Sequence, residues 1–298
     1  MVTAELINYI SKNSLHFVSP VKTRDLVSFK VGGTGDIAVF PKSVSELKCI
    51  LDFVKNERFV LLGNGTNCYF TEGNFDDVII VTSLINGISL ADNAISAECG
   101  VSIKDLCTFA MENGLSGLEF AYGIPGTVGG AVCMNASAFG GCFADVVHCS
   151  TVYDFSKSNE HALSKNEHCF GTKTSIFRAS TLSLLSTQFK LKCGEKGAIK
   201  AKMDEYLARR ELTQPLDFPS AGSTFVKPAD SHASFLVDKA GLKGFCIGGA
   251  AVSDKHAGFI VNLGGARSSE INELINHIKT TVKSKFNVSL QEEIIYLE

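Results

Sequence analysis

Short runs of β-branched and aromatic residues, bounded by turn-forming residues, recur along the first two thirds of the chain. Such runs are typical of strands, because branched and aromatic side chains pack well on a pleated sheet. They predict strands at residues 36–40, 59–62, 77–82, 93–98, 145–155 and 186–192.

Other stretches repeat their apolar positions at helical spacing. Residues 43–57 place four apolar side chains on one face, with Ser43 or Ser45 as the N-cap. Ser102, followed three residues later by an acidic residue, predicts a second helix, which a glycine closes at position 114. A short polar helix is predicted within residues 1–17. The chain up to about residue 195 is therefore predicted to be a mixed α/β arrangement.

The pattern changes after residue 195. A long helix over residues 197–212 is predicted to end before Pro215 and Pro219, because proline cannot continue it. Further helices are predicted at residues 231–241 and 268–286, and strands at 257–262 and 292–298. We therefore predict a domain of residues 1–196 followed by a domain of residues 197–298.

Composition and charge exclude several classes of protein. Lys and Arg total 28 against 31 Asp and Glu, with no basic stripe, so we expect no nucleic-acid partner. The longest apolar run, VIIVTSLI, is too short to span a bilayer, and the N-terminus lacks the pattern of a signal peptide. We therefore expect a cytoplasmic protein with no membrane partner.

Ten cysteines raise the question of disulfides or a metal site. No two of them form a C-x-x-C pair, so a zinc site is not predicted. Without a secretion signal, a disulfide scaffold is not predicted either. We expect most of these cysteines to be small, buried, apolar residues.

The stretch GLEFAYGIPGTVGGAVCMNASAFGG, residues 117–141, contains seven glycines and few exposed polar residues. Glycine is used where the backbone needs a positive φ or where another group must approach it closely. A tight connection between packed elements explains a lone glycine pair. The recurrence of glycine at positions 123, 126, 129 and 130 instead indicates a backbone that wraps a ligand.

A second glycine-rich stretch, LLGNGTN at residues 61–67, follows a predicted strand. Consecutive main-chain N–H groups there could bind a phosphate or a diphosphate. The stretch is neither a dinucleotide fingerprint nor a Walker loop, since no helix follows at once and no G-K-[ST] is present. An ordinary turn is the alternative. Two such loops in one α/β domain fit an extended ligand with a diphosphate in its middle.

Three further polar clusters lie in the second half of the chain. PSAGSTFVKP places Ser223 in a predicted turn between two prolines, where a serine that bonds its own backbone is the alternative. Residues 241–262 carry Lys243, Ser253, Lys255 and His256, a cluster that a solvated surface also explains. Glutamates 292 and 293 begin the last predicted strand, and one of two adjacent strand residues points inward.

The order of these motifs resembles that of the UDP-N-acetylenolpyruvoylglucosamine reductase family along essentially the whole chain. The matching segments are SFKVGG, LLGNGTN, GLEF, GIPGTVGGAV, MNASAFG, FGTKTSIF, QPLDFPSAGSTF, AGLKG, IGGAAVS, KHAGFIVN and LQEE. The resemblance implies an α+β fold. It would comprise an FAD-binding PCMH/VAO-type domain of two α/β subdomains, residues 1–196, and a smaller α+β substrate-binding domain, residues 197–298.

The same resemblance implies a tightly bound FAD, NADPH as hydride donor and a UDP-sugar substrate, in peptidoglycan precursor synthesis. It assigns the FAD diphosphate to two loops, whose residues are Gly63, Asn64, Gly65, Thr66, Asn67, Gly123, Ile124, Pro125, Gly126, Thr127, Gly129 and Gly130. NADPH is expected to share the pocket of the substrate, which predicts alternating two-step kinetics.

Three catalytic residues carry over from the family by position. Ser223 corresponds to the proton donor, and Glu293 to the carboxylate that orients or polarises the enolpyruvyl group. Lys173 stands where the family usually has an arginine, and Thr172 stands where it has a tyrosine. Lysine supplies one mobile charge in place of a two-pronged guanidinium, so we expect activity with less precise alignment.

Substrate contacts are expected from a further set of residues: Asn135, Arg210, Gln214, Lys227, Lys255 and His256. The segment of residues 191–206 is too short for the extra tyrosine-bearing loop of one branch of the family. The chain therefore resembles the branch without that loop. We expect a monomer and no metal.

Three alternatives remain at this stage. Another FAD oxidoreductase with the same N-terminal fold, such as a sugar-lactone oxidase, would have no use for PSAGSTF. A non-catalytic flavin- or nucleotide-sugar-binding protein would explain Lys173, but the presence of Ser223 and Glu293 argues against it. A cysteine-based redox or metal protein is the weakest alternative, because of the cysteine spacing.

Overall fold

The computed structural model describes residues 4–298, so the first three residues of the predicted N-terminal helix lie outside the described residues. The α-helices in this part of the chain are α1 Ala4–Lys12, α2 Val44–Val54, α3 Ile103–Glu112, α4 Val128–Cys133, α5 Phe143–Val146, α6 Lys196–Thr213, α7 Ala233–Lys239 and α8 Ser268–Phe286.

Short strands alternate with these helices. They are β1 His16–Val18, β2 Val21–Lys22, β3 Thr34–Gly35, β4 Ala38–Phe40, β5 Phe59–Leu62, β6 Cys68–Phe70, β7 Asn74–Phe75, β8 Val78–Val81, β9 Ile88–Ala91, β10 Ala94–Glu98, β11 Leu115–Ser116, β12 Ser137–Ala138, β13 Gly141–Cys142, β14 Val147–Asp154, β15 Asn159–Ser164, β16 Leu182–Lys190, β17 Lys192–Cys193, β18 Ser220–Ser223, β19 Cys246–Ile247, β20 Ala250–Val252, β21 Phe259–Asn262 and β22 Ile295–Leu297.

The chain divides into two compact units. The first comprises residues up to Ser19 together with Ile37–Asn64 and Asp77–Arg209. The second comprises Pro20–Asp36, Gly65–Asp76 and Arg210–Glu298. The domain boundary predicted at residue 196 stays a prediction. The two compact units divide after Arg209, within α6, and the segments of residues 20–36 and 65–76 belong to the second unit.

The first unit contains two main sheets. One has the order β1-β4-β8-β5, with β4, β8 and β5 parallel, and the other has the antiparallel order β15-β14-β16-β10-β9. Fully buried Leu47, Ile50, Leu51 and Val54 of α2 belong to the same core as the inner residues of these sheets. The helical spacing in the sequence therefore identifies the buried face correctly.

The second unit is built around the antiparallel sheet β18-β21-β20-β19. It also contains the small sheet β2-β3-β7 and the parallel pair β6–β22. The apolar stripe of α8, which includes Ile271, Leu274 and Ile278, joins the core of this unit. Asn262, at the end of β21, is buried and its Nδ2 donates to the carbonyl of Phe29 (3.1 Å).

Two expectations from the sequence are wrong. Ser223 lies in strand β18 and not in a turn, because the carbonyl of Pro219 accepts the Asn262 N–H (2.9 Å) and the strand pairs without needing a proline N–H. Most of the ten cysteines are not buried. Only Cys68, Cys99 and Cys107 are buried, whereas Cys49, Cys169, Cys193 and Cys246 are exposed. All ten are free thiols.

Candidate active site

The two glycine-rich loops meet in the first unit. Gly63 follows β5, and a Cβ atom at this position would lie 2.2 Å from Oγ1 of Thr127. Only glycine allows this approach, since real Cβ contacts are never so short. The structure thus brings Gly63 and Asn64 next to the loop of residues 123–130, as the two-loop interpretation requires.

The loop of residues 123–130 is held by main-chain hydrogen bonds to residues 99–103. Val128 N–H donates to Val101 O (2.9 Å), and Gly129 N–H donates to Cys99 O (2.8 Å). Thr127 caps α4, because its Oγ1 accepts from the N–H of Gly130 (3.4 Å). Among residues 123–130, Pro125 and Gly130 are exposed, and the other glycines are partly exposed.

Several main-chain N–H groups of these loops donate no main-chain hydrogen bond within residues 4–298. Throughout residues 4–298, no hydrogen bond joins the N–H groups of Gly63, Asn64, Gly126 or Thr127 to a protein atom. Unpaired N–H groups on small residues are what a diphosphate needs, because its oxygens must approach the main chain closely. The residues present therefore fit the phosphate part of FAD.

The remaining part of the first loop belongs to the second unit. The carbonyl of Gly65 accepts the Ser28 N–H (3.0 Å), and the Asn67 side-chain Nδ2 donates to the carbonyl of Glu293 (3.1 Å). Thr66 and Asn67 are partly buried. The Asn67 side chain therefore donates to the protein through Nδ2. Asn67 stays a predicted cofactor ligand through its remaining polar atoms.

Ser223 and Glu293 lie on adjacent segments of the second unit. The Glu293 N–H donates to the carbonyl of Thr224 (2.9 Å), and residues 225 and 292 pair across the same gap. Ser223 is half-buried, and within residues 4–298 its hydroxyl makes no hydrogen bond to the protein. Gly222, directly before Ser223 in the strand, has a left-handed backbone conformation (φ +78°), which favours glycine.

Thr224 is what fixes this arrangement. It is 1% exposed, its Oγ1 accepts from the Ile260 N–H (3.2 Å), and its own N–H donates to Gly258 O (2.8 Å). Its carbonyl holds Glu293, as described above. The neighbouring Glu292 is exposed and forms an ion pair with Lys279 (2.8 Å). Glu293 is therefore the partly buried member of the glutamate pair.

Lys173 lies in the first unit, at a tight turn closed by the Gly171 N–H to Thr174 O bond (3.0 Å). Its φ of +57° places it in the left-handed region. Two side chains brace the turn: Asn135 Nδ2 donates to Gly171 O (2.9 Å), and Ser175 Oγ donates to Cys133 O (2.7 Å). The amide of Asn135, a predicted substrate ligand, therefore holds the Lys173 turn.

A buried polar cluster lies next to this turn and was not predicted from the sequence. His168 is fully buried, with Nε2 2.8 Å from Ser150 Oγ and its ring stacked on Phe170 (4.9 Å between centroids). Burial lowers the pKa of His168. Residues 150 and 168 are 18 positions apart, so no local sequence pattern indicates the pair.

Four of the predicted substrate residues come together in the second unit. Arg210 is buried and donates to Gln214 Oε1 (3.0 Å), while Lys255 Nζ donates to the carbonyl of Glu211 (2.6 Å). The N–H groups of Lys255 and His256 both donate to Ser253 Oγ, at 3.2 and 3.3 Å. Burial lowers the pKa of the Arg210 guanidinium.

His256 and Lys227 have different surroundings. His256 Nδ1 accepts from the Gly258 N–H (3.1 Å), which leaves Nε2 as a donor in the neutral ring, and burial lowers its pKa. Lys227 is exposed and lines a separate cavity of about 360 Å³ with Pro228 and Gln291. No contact described for the second unit joins Lys227 to the Arg210 cluster.

The described part of the chain has neither a metal-binding cluster nor a membrane-spanning helix. Among residues 4–298, no group of three His, Cys, Asp or Glu residues could hold a metal ion. In the same range, no helix is long and apolar enough to cross a bilayer.

Comparison with known proteins gives consistent matches over both units. The family model of the FAD binding domain matches residues 35–157. The model described as UDP-N-acetylenolpyruvoylglucosamine reductase, C-terminal domain, matches residues 214–297. The UDP-N-acetylenolpyruvoylglucosamine reductase of Clostridium perfringens strain SM101 is 41% identical over 272 residues, or 90% of this chain and 88% of the relative. That of Caldicellulosiruptor saccharolyticus is 40% identical over 292 residues, or 97% and 94%.

A solved structure supports the same assignment. The crystal structure of the reductase (MurB) from Thermus caldophilus matches with a TM-score of 0.80 and 29% identity, covering 95% of this chain and 99% of that one. This match and the two family models confirm the predicted α+β fold, with an FAD-binding PCMH-type domain and a C-terminal substrate domain. The chain belongs to the UDP-N-acetylenolpyruvoylglucosamine reductase family.

Proposed function

We propose that this protein reduces the enolpyruvyl group of UDP-N-acetylglucosamine enolpyruvate to give UDP-N-acetylmuramate, with NADPH as reductant and FAD as cofactor. The reaction belongs to peptidoglycan precursor synthesis. Family membership supports the reaction. The observation that carries the proposal is local. The Ser223 hydroxyl has no hydrogen-bond partner among residues 4–298, and the neighbouring Thr224 carbonyl accepts from the Glu293 N–H (2.9 Å).

FAD, when bound, supplies a carrier that takes hydride from one partner and delivers it to another. Gly63, Asn64, Gly126 and Thr127 would hold its diphosphate through main-chain N–H groups, which are unpaired within the described chain. The small residues exclude side chains from this surface, so no desolvated side-chain charge is needed to bind the phosphates.

Ser223 is proposed to donate the proton that completes reduction of the double bond. Hydride addition at one carbon leaves negative charge on its neighbour and on the attached carboxylate, so the site must supply a proton there. A serine hydroxyl is a weak acid, but it can protonate a carbanion that lies beside it. Glu293 is proposed to orient the enolpyruvyl group, and Lys173 to offset the developing charge.

The UDP diphosphate is proposed to bind at the cluster of Arg210, Gln214, Lys255 and His256. A buried guanidinium and an N–H at His256 Nε2 are both donors for phosphate oxygens. An anion bound beside Arg210 would offset the cost of burying its charge. We also propose that the protein lies in the cytoplasm, because nucleotide sugars and NADPH are metabolites of the cytoplasm. A monomer is proposed as well.

The first experiment is anaerobic absorption spectroscopy of the purified protein. NADPH should bleach the flavin bands, and the enolpyruvyl sugar should restore them. Ser223→Ala should bleach as wild type but recover about a hundredfold more slowly, because only the second half-reaction uses the proton donor. Ser269→Ala, an exposed serine of the same unit, is the matched control and should behave as wild type.

Three outcomes contradict the proposal. A protein that binds no FAD would exclude the proposal that the two glycine-rich loops hold the FAD diphosphate. Bands that bleach and never recover with the sugar would indicate a different acceptor. Recovery in Ser223→Ala at the wild-type rate would remove Ser223 from the mechanism while keeping the reductase.

A further inference from the structure

Ser28 bonds two functional segments of the second unit, and its hydroxyl, which also lies 3.5 Å from Gly65 O, makes its short bond to the second of them. Its main-chain N–H donates to the carbonyl of Gly65 (3.0 Å), in the predicted cofactor loop. Its hydroxyl donates to the carbonyl of Ser220 (2.7 Å), at the start of β18, the strand that ends at Ser223. One residue therefore links the cofactor loop to the strand of the proton donor.

The segment that carries Ser28 is held firmly on its other side. The Phe29 side chain is fully buried and packs edge-on against Tyr69, with centroids 5.8 Å apart. The Phe29 carbonyl accepts from Nδ2 of Asn262, and the Oδ1 of this asparagine accepts from Gly264 and Ala266 N–H groups (2.9 and 3.1 Å). The Ser28 hydroxyl is thus presented by backbone that cannot easily shift.

Strand β18 needs this support because its own pairing is irregular. Ser220 pairs with Val261 and Ser223 with Phe259, and the register shifts between the two. Gly222, between them, has a left-handed φ of +78° with nothing within 4 Å of a would-be side chain. The Ser28 bond therefore fixes the first residue of a strand whose middle lacks regular ladder support.

A second link runs from the same loop to the other catalytic residue. Asn67 Nδ2 donates to the Glu293 carbonyl (3.1 Å), and the Asn67 carbonyl accepts the Ile295 N–H (2.9 Å). The loop of residues 65–67 thus touches both the Ser223 strand, through Ser28, and the Glu293 segment directly. A disturbance of the loop would reach both predicted catalytic residues.

We infer that Ser28 is a positioning residue that couples the cofactor loop of residues 65–67 to the placement of the Ser223 hydroxyl for proton delivery. This inference rests on the proposed function. It assigns Ser28 to the half-reaction in which the sugar is reduced and not to flavin reduction by NADPH.

The substitution Ser28→Ala separates the two links. It removes the short hydroxyl bond to Ser220 (2.7 Å) and the long hydroxyl contact to Gly65 O (3.5 Å). It keeps the main-chain bond to Gly65 (3.0 Å), so FAD binding should change less than about twofold. Ser28→Thr restores a hydroxyl and is the conservative rescue. Ser269→Ala, whose hydroxyl faces Glu72 on the exposed side of α8, is the matched control.

Two readouts on the FAD-loaded protein test the inference. In stopped-flow experiments, Ser28→Ala should be reduced by NADPH at the wild-type rate and reoxidised by the enolpyruvyl sugar about tenfold more slowly. Within the same stopped-flow readout, the solvent isotope effect on reoxidation should rise, because proton transfer becomes limiting. Hydrogen–deuterium exchange should accelerate in the peptide of residues 219–225 and stay unchanged across residues 268–286. Ser28→Thr should restore both readouts.

Equal exchange of residues 219–225 in wild type and Ser28→Ala would overturn the inference, and so would an unchanged reoxidation rate. A loss of thermal stability with both half-reactions slowed alike would show a merely structural role and would also overturn it. If wild type itself fails to reduce the sugar, the proposed function falls, while the exchange measurement still decides whether Ser28 controls the Ser223 strand.

Discussion

A lysine at position 173 stands where the family usually has arginine, and its backbone is in the left-handed region (φ +57°). This conformation is braced by Asn135 and Ser175, so the direction of the side chain is set by the turn rather than by its own preference. The turn therefore presents the lysine cation at a defined place.

Two substitutions of Lys173 test whether the charge and the shape of this cation matter for sugar reduction. Lys173→Arg should keep or raise the rate of sugar reduction by a few-fold, because a guanidinium grips a carboxylate through two parallel N–H bonds. Lys173→Met should lower it about a hundredfold, since removal of one charge-stabilising group typically has that effect. Stopped-flow reoxidation measures both. Equal rates in Lys173→Met and wild type would remove Lys173 from the reaction.

The buried His168 should make stability depend on pH. Because burial lowers its pKa below the ordinary value, the unfolded chain binds more protons than the folded one just below pH 6.5. The stabilisation is fully present above that pH and is lost as the pH falls, by at most about 1.4 kcal/mol per pH unit for one group. His256, whose pKa is also lowered by burial, adds to the slope.

Urea unfolding at pH 7.5, 6.5 and 5.5 measures this slope. His168→Phe keeps an aromatic ring against Phe170 but cannot titrate, so it should flatten the slope between pH 6.5 and 5.5. It should also lower the free energy of unfolding at pH 7.5 by about 1–3 kcal/mol, because the bonds of the ring nitrogens to Ser150 Oγ and Ser164 O are lost, although Ser150 keeps Thr187 Oγ1. An unchanged slope would assign the pH dependence to other groups.

At the scale of elements, the contact of the two glycine-rich loops is a sensitive point of the first unit. Gly63→Ala would drive a methyl group into Thr127, whose hydroxyl would be 2.2 Å away. Overpacking of this kind costs about 1–3 kcal/mol and should displace the loop that is proposed to hold FAD. The expected result is a lower thermal midpoint and a reduced ratio of flavin to protein absorbance.

Matched variants make this prediction specific. Gly73→Ala is the control, because only Thr71 Oγ1, at 3.9 Å, lies near the new methyl group. Thr127→Ala removes the clashing atom, so Gly63→Ala with Thr127→Ala should be less destabilised than the sum of the single variants. Full FAD content in Gly63→Ala would contradict the proposed role of the loop contact.

Elements with strong local signals were predictable from the sequence. Ser43 caps α2 and Ser102 caps α3 as expected, and the predicted limits of β5 and α8 agree with the structure. Strand β18 was missed because the flanking Pro219 and Pro228, together with Gly222 within it, favour a turn. Only the partner strand β21, some forty residues later, gives these residues their extended form.

The site was predictable to a lesser extent. Glycine spacing indicates the two loops, and family resemblance indicates Ser223, Glu293 and Lys173. Neither indicates that the side-chain amides of Asn135 and Asn67 donate to main-chain carbonyls, because those carbonyls lie 36 and 226 positions away in the sequence. The burial of the cysteines was also misjudged, since cysteine spacing contains no information about exposure.

At the scale of the whole molecule, one substrate pocket used in turn by NADPH and the sugar predicts a kinetic pattern. Initial rates at varied NADPH and several fixed sugar concentrations should give parallel double-reciprocal lines, because the first product leaves before the second substrate binds. High NADPH should inhibit in competition with the sugar. Intersecting lines would indicate separate sites and would contradict the shared pocket.

The parallel pairing of β6 with β22 has a consequence for the synthesis of the protein. Residues 68–70 find their partners at residues 295–297, so a ribosome must make almost all of the chain before this pair can form. At about 5 to 20 residues per second, the wait is roughly ten to fifty seconds. During that time the Glu293 carbonyl, which accepts from the Asn67 side chain, has not yet been made. The nascent chain can therefore complete this part of its predicted cofactor loop only after residues 293–297 have been made.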